Sequence, residues 1–119
     1  MIRLASNTQV LLATEAQDFR KGIDGFAALC TNHFQHDPRN GAIYAFINRS
    51  GTMVRLMAYE HNGYWLMTKR LSKGSFRAWP KGAQPMSAVA ARQLRQLLNN
   101  DPRGALSFNS VVKKSEDNA

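Results

Sequence analysis

Acidic side chains are scarce in this chain and unevenly spread. Eight Asp and Glu stand against 16 Lys and Arg, a formal net charge of +8 over 119 residues. From Arg39 to Asn100 the bases are Arg39, Arg49, Arg55, Lys69, Arg70, Lys73, Arg77, Lys81, Arg92 and Arg95, and the one acid is Glu60. A two-metal nuclease needs several carboxylates converging on divalent ions. Asp37, Asp101, Glu116 and Asp117 fall in turns or the tail, helix capping and a hairpin end account for Asp18, Asp24 and Glu60, and Glu15 is the one acid left over. No catalytic residue is assigned.

Cysteine is nearly absent. Cys30 alone excludes an internal disulfide and suits a reducing compartment. No apolar run reaches the 18 or so residues of a membrane span. The first residues do not read as an export signal, so a cytoplasmic protein without membrane contact is expected. Neither GxxxxGK[ST] nor a strand-linked GxGxxG occurs, and no cofactor is expected. Cys30, His33 and His36 are poorly matched as ligands, because His36 lies further round a helix and Cys30 sits on its apolar stripe. No metal is expected either.

What is present reads as one small domain. Gln9 to Ala13 is a short apolar strand. Ile23, Phe26, Ala27, Cys30 and Phe34 follow helical spacing, with Asp18 or Asp24 as the expected cap. Strands are expected over 42–47, 52–59 and 64–71. Asn62-Gly63 supplies the hairpin turn between the last two. That turn sets Tyr59 opposite Leu66, Met57 opposite Thr68 and Arg55 opposite Arg70. Ser87 is expected to cap a second helix, with Ala90, Ala91, Leu94, Leu97 and Leu98 as its apolar stripe. The order β-α-β-β-β-α predicts a single small α+β domain over 1–104: a mainly antiparallel sheet of about four strands with two helices. Residues 105–119 are expected to form a polar, frayed tail.

Two segments carry candidate binding chemistry. In "RKGIDG", Arg20, Lys21, Gly22 and Gly25 stand at an expected helix start, where backbone N–H groups could hold an anion. A tight strand-to-helix connection is the simpler account of the glycines. In "YWLMTKRLSKGSFRAWP", residues 64–80, Lys69, Arg70, Lys73 and Arg77 alternate with Tyr64, Trp65, Phe76 and Trp79, and no acid intervenes. Cations neutralise phosphates and flat rings stack on bases or carry guanidinium groups, so a polyanion is the expected ligand. No known base-reading motif is present.

The same residues carry a resemblance. "DFRKGIDGFAAL" (Asp18 to Leu29) is similar to the D-x-R-K-G-x-D-G-L-A-A-L segment of a transposon-encoded family. "GTMVRLMAYEHNGYWLMTKRLSKGSFRAWP" (Gly51 to Pro80) resembles its second block, which closes K-R-L-x-x-G-x-F-x-x-W-P. "MSAVAARQLRQLL" takes the place of its C-terminal helix. The family is the TnpB accessory protein, or second-reading-frame protein, of the IS-sixty-six insertion sequences, and the resemblance covers about residues 2–100. It departs from the family at Ala58-Tyr59, where two Trp are usual, and at Ser75, where a cation is usual.

The resemblance implies a non-enzymatic accessory factor encoded beside a separate DDE-type transposase. The expected function is DNA binding at the element ends through Arg55, Lys69, Arg70, Lys73 and Arg77, with Trp79 stacking or supporting and Arg92 and Arg95 extending the surface. A second reading is a module that docks on the transposase through exposed aromatics, Trp79 among them. A third is a metal-dependent nuclease using Asp18, Asp24 or Glu60. A two-ended element makes a homodimer a convenient form.

Overall fold

The computed structural model of the protein describes residues 4–100, so the tail expected at 105–119 lies outside the described residues. β1 (Val10–Ala13) and β2 (Ile43–Ile47) are buried along their whole length. Their continuous apolar runs are those of strands covered on both faces. They pair in parallel, Val10 opposite Ile43, and parallel neighbours need a crossover between them. Helix α1 (Ile23–Ala28) and the π-helical turn Leu29–His33 supply it.

β3 (Met53–Glu60), β4 (Gly63–Arg70) and β5 (Met86–Val89) complete a five-stranded sheet in the order β4-β3-β2-β1-β5, with helix α2 (Ala91–Leu98) following. The fold is α+β as expected, with one more strand and one parallel pair, β1 with β2, in an otherwise antiparallel sheet. The added strand replaces the start of the expected second helix. Met86 to Val89 pair antiparallel with β1, Val89 opposite Val10, and satisfy the backbone groups that β1 would otherwise leave open. Ser87 is therefore a strand residue. The helix begins after Ala90, whose N–H donates to Gln93 Oε1 at 2.7 Å.

Side-chain alternation splits the core between two faces. Val10, Leu12, Ile43, Ala45, Val54 and Leu56 meet Leu94 and Leu97 of α2, together with Phe76 and Trp79. Leu11, Tyr44, Phe46 and Met57 meet Phe26, Cys30 and Phe34 on the other side. The Phe26 and Phe46 ring centroids are 4.7 Å apart. In an α-helix every fourth residue drifts by about 40°. The wider turn, in which Phe34 N–H reaches Leu29 O, turns the stripe back so that Phe26, Cys30 and Phe34 all face the sheet. Neither Asp18 nor Asp24 caps α1. The N-cap is Gly22, and Asp24 lies in the first turn, where a negative charge meets the positive end of the helix.

The β3–β4 register also differs from expectation, by two residues. Glu60 pairs with Gly63, Tyr59 with Tyr64, Met57 with Leu66 and Arg55 with Thr68. The two-residue loop is His61-Asn62, and His61 takes the positive φ of 57°. A shift of two preserves which face each side chain occupies, so the inward set Val54, Leu56 and Ala58 is unchanged. A left-handed non-glycine residue costs about 1 kcal/mol or more. His61→Gly is therefore expected to raise stability by about 1 kcal/mol, seen as a higher urea midpoint at an unchanged slope.

Candidate nucleic-acid interface

The topology collects the charge. β2 runs with β1, β3 opposes β2, β4 opposes β3, and β5 opposes β1. The C-terminal ends of β1, β2 and β4 thus share one end of the sheet with the starts of β3 and β5. Three connections meet there: residues 14–22, 48–52 and 71–85. They bring the bases Arg20, Lys21, Arg49, Lys73, Arg77 and Lys81 against the acids Glu15 and Asp18, and Arg70 closes β4 beside them, opposite Met53.

Local bonding fixes these connections. Asn48 Oδ1 accepts from the Thr52 and Met53 N–H groups at 2.9 and 3.0 Å, and Gly51 turns the chain at φ 72°. Leu71 N–H then donates to Thr52 O at 2.9 Å, and Phe76 N–H to Gly51 O at 2.8 Å, which lays the 71–80 segment along the β2–β3 turn. Gly74 permits the bend with φ 76°. Phe76 and Trp79 plug into the core, and the Trp79 Nε1–H donates to Ala13 O at 2.9 Å. The G-x-F-x-x-W-P run is thus a staple that holds Lys73, Arg77 and Lys81 across the sheet end.

Two clefts open between the connections. One of about 520 Å³ is lined by Gln17, Phe19, Arg20, Arg49, Met53 and Arg55 among others. Its neighbour, about 440 Å³, includes Thr14, Ser75, Arg77 and Lys81. Asn48, Arg49 and Ser50 line both, so Arg49 stands on the shared wall. Arg49 and Lys81 were not among the expected binding residues. Both sit in turns flanking the basic strip, and only the pairing of strands shows that those turns adjoin it.

The expected residues divide into several groups. Arg70, Lys73 and Arg77 are exposed at the sheet end. Arg55 is half-buried beside them. It donates to Thr68 Oγ1 at 2.7 Å and to Phe19 O at 2.9 Å, and its guanidinium lies 4.6 Å from the Phe19 ring centroid. It does not oppose Arg70; it clamps the 14–22 connection onto β3 and gives the larger cleft a positive wall. Lys69 points to the α2 side, where its Nζ donates to Leu98 O at 2.7 Å, placing a cation at the helix's negative end. Trp79 is only 9% exposed, so of its two expected roles, stacking or supporting, burial suits the supporting one. Arg92 and Arg95 are exposed on α2 and line neither cleft, and Arg95 donates to Leu4 O at 2.7 Å.

At the helix start, Arg20 forms a bidentate pair with Asp18, Nη2 to Oδ2 at 2.7 Å. These hydrogen bonds hold the Asp18 carboxyl well below the usual carboxylate range. Lys21 Nζ lies 5.9 Å from the Phe26 ring centroid. Gly25 leaves room for Lys21, whose Cβ would stand 2.7 Å from any Cβ added there. Arg20 is engaged by Asp18, and α1 is only six residues long.

Among the described residues Asp18 and Glu60 stand apart. Asp18 pairs with Arg20, whereas Glu60 lies at the far, hairpin end and accepts from Trp65 Nε1 at 3.3 Å. Among the described residues no three His, Cys, Asp or Glu stand together as a metal site. His33 packs edge-on against Phe34, and His36 Nδ1 lies 2.8 Å from Phe34 O. Burial pushes the Cys30 thiol up to about 12. Native protein at pH 8 is accordingly expected to resist a thiol reagent and to react once only after denaturation. Rapid labelling of the native protein would contradict this burial. Among the described residues no helix is long and apolar enough to cross a membrane.

Fold and charge together define a small basic α+β domain with one cationic end. The chain belongs to the family described as IS66 Orf2 like protein, whose model matches residues 8–102. It is similar to two proteins of Sinorhizobium fredii (strain NBRC 101917 / NGR234) named as uncharacterized. These are y4hO, 30% identical over 83% of this chain and 85% of that protein, and y4jC, 32% identical over 64% and 65%. No solved structure shows a significant match. Membership makes the chain an accessory protein of insertion-sequence transposition, from a family that is not a known class of enzymes.

Proposed function

We propose that the protein binds the phosphate backbone of DNA, at the ends of its element, with the cationic end of the sheet. Arg49, Arg70, Lys73, Arg77 and Lys81 contact phosphates, Arg55 contributes field from behind, and the duplex lies across the 48–52 and 71–85 connections. The observation that carries this reading is the convergence at one end of bases from segments far apart in the chain, held there by the Phe76 and Trp79 anchors. A field of one sign concentrates a polyanion at that surface. Engagement of the five bases gives a counterion-release slope of about 4 to 5 on duplex DNA. This site departs from the expected strip: Trp79 no longer stacks, and Arg92 and Arg95 no longer belong to it. The reading includes no catalytic step.

Arg20 supplies a test of opposite sign to the usual loss of binding. Its charge is offset by Asp18 on the rim of the larger cleft. Asp18→Asn removes one negative charge and releases Arg20. Duplex affinity measured by fluorescence anisotropy is expected to rise by about 3- to 10-fold at low salt, with a slope steeper by about one contact. Unchanged or weaker binding in a variant that folds normally places the DNA elsewhere. Docking on the transposase would have to use Trp65, 42% exposed, because Trp79 and Phe76 lie in the core.

A further inference from the structure

The outer edge of β4 has no neighbouring strand among the described residues. Its backbone phase follows from two flanking bonds. Asn48 N–H donates to Met53 O, and Leu71 N–H donates to Thr52 O. Counting by twos along the ladder, Gly63, Trp65, Met67 and Lys69 bond to β3, while Tyr64, Leu66, Thr68 and Arg70 turn their N–H and C=O groups outward. Trp65 and Met67, 42% and 37% exposed, are two of the three large apolar side chains left open to solvent among the described residues. They lie two residues apart, so they share a face. An open edge with exposed apolar side chains invites pairing unless something blocks it.

We propose that a second copy of this chain pairs here, β4 against β4, antiparallel about a two-fold axis at Leu66. Outward groups bond only outward groups, so Leu66 meets the partner's Leu66 and Tyr64 meets the partner's Thr68. Trp65 then faces the partner's Met67, and Met67 faces the partner's Trp65, as non-hydrogen-bonded pairs with Cα atoms about 4.5 Å apart. The two-fold axis makes the contact self-complementary and closed. A slip of two residues one way sets Trp65 against the partner's Lys69. A slip the other way leaves Met67 against the partner's Gly63. The Leu66-centred register buries both exposed side chains on both copies.

Charge selects the same arrangement. Lys69 faces the partner's Gly63 and Arg70 faces the partner's Asn62, so no like charges are opposed. In-register parallel pairing would set Lys69 and Arg70 against their own copies, which is unfavourable. The antiparallel dimer continues the sheet and sends its two cationic ends in opposite directions.

Sedimentation velocity over a concentration series, without DNA, tests this. Wild-type protein is expected to run as a dimer. Trp65→Lys and Met67→Glu, both at exposed positions, are each expected to weaken association by about tenfold or more, the size of a hot-spot loss. An equimolar mixture of the two is expected to recover the dimer, because the new Lys then faces the new Glu across the axis. Three results would overturn the proposal: a wild-type monomer throughout, a dimer indifferent to both substitutions, or a mixture that stays as weak as its components.

Discussion

Trp79→Ala is expected to destabilise the protein by about 3–5 kcal/mol, the usual range for emptying a buried Trp site. The indole belongs to the same buried cluster as Phe76, Ile47 and Val54, and its N–H satisfies Ala13 O at the end of β1. For a domain of this size that loss lowers the thermal midpoint by about 10 °C or more. Trp79→Phe keeps most of the volume and removes the hydrogen bond, so it is expected to cost about 1–3 kcal/mol from the unpaired Ala13 carbonyl. A Trp79→Ala protein as stable as wild type would show that the 71–80 segment is not anchored as described. The side chain that reads in sequence as stacking or supporting is here the peg that holds three cations in place.

The second large effect concerns those cations. Arg49→Glu, Arg77→Glu and Lys81→Glu combined reverse charge on two of the three connections, at exposed positions. Loss of three phosphate contacts removes about 2.7 from the salt slope and weakens binding on the order of 10²–10³-fold near 0.1 M salt. Thermal stability should change little, because none of the three side chains is buried. Arg92→Glu with Arg95→Glu is the control on α2, changing net charge by about two-thirds as much away from the clefts. Equal loss in both variants would mean that affinity follows overall charge and not a site. This pair of results separates a located surface from a generally basic protein.

Much of the fold is visible in local patterns. The apolar runs at 9–13 and 42–47, the alternation over 52–59 and the Leu94–Leu97 stripe each mark an element that the structure contains. β5 is not visible, because four residues ahead of an alanine-rich helix read as its first turn. Only the open side of β1 makes them a strand. The parallel β1–β2 pair is likewise a property of assembly, since spacing names elements and not neighbours. The hairpin register failed for a different reason. Asn62-Gly63 is the stronger turn signal, yet Gly63 pairs with Glu60 and His61 accepts the unfavourable φ.

The site was legible as composition more than as geometry. An acid-free stretch of cations is apparent in the sequence, and Arg70, Lys73 and Arg77 do share the sheet end. Lys69 and Arg55 instead spend hydrogen bonds on Leu98 O and Phe19 O, partners 29 and 36 residues away. Trp79 finds its acceptor 66 residues away. No local rule reports such distances. Arg49 and Lys81 join the site by the same long-range pairing that hid them.

The central claim is that this end of the sheet holds DNA, and the most direct measurement is a salt titration of duplex binding by the unmodified protein. Fluorescence anisotropy would follow a labelled duplex from the element's terminal repeats beside a scrambled duplex. The expected result is binding with a log–log salt slope of about −4 to −5 and a preference for the terminal duplex. No binding to either duplex at moderate salt, in protein shown to be folded, would contradict it.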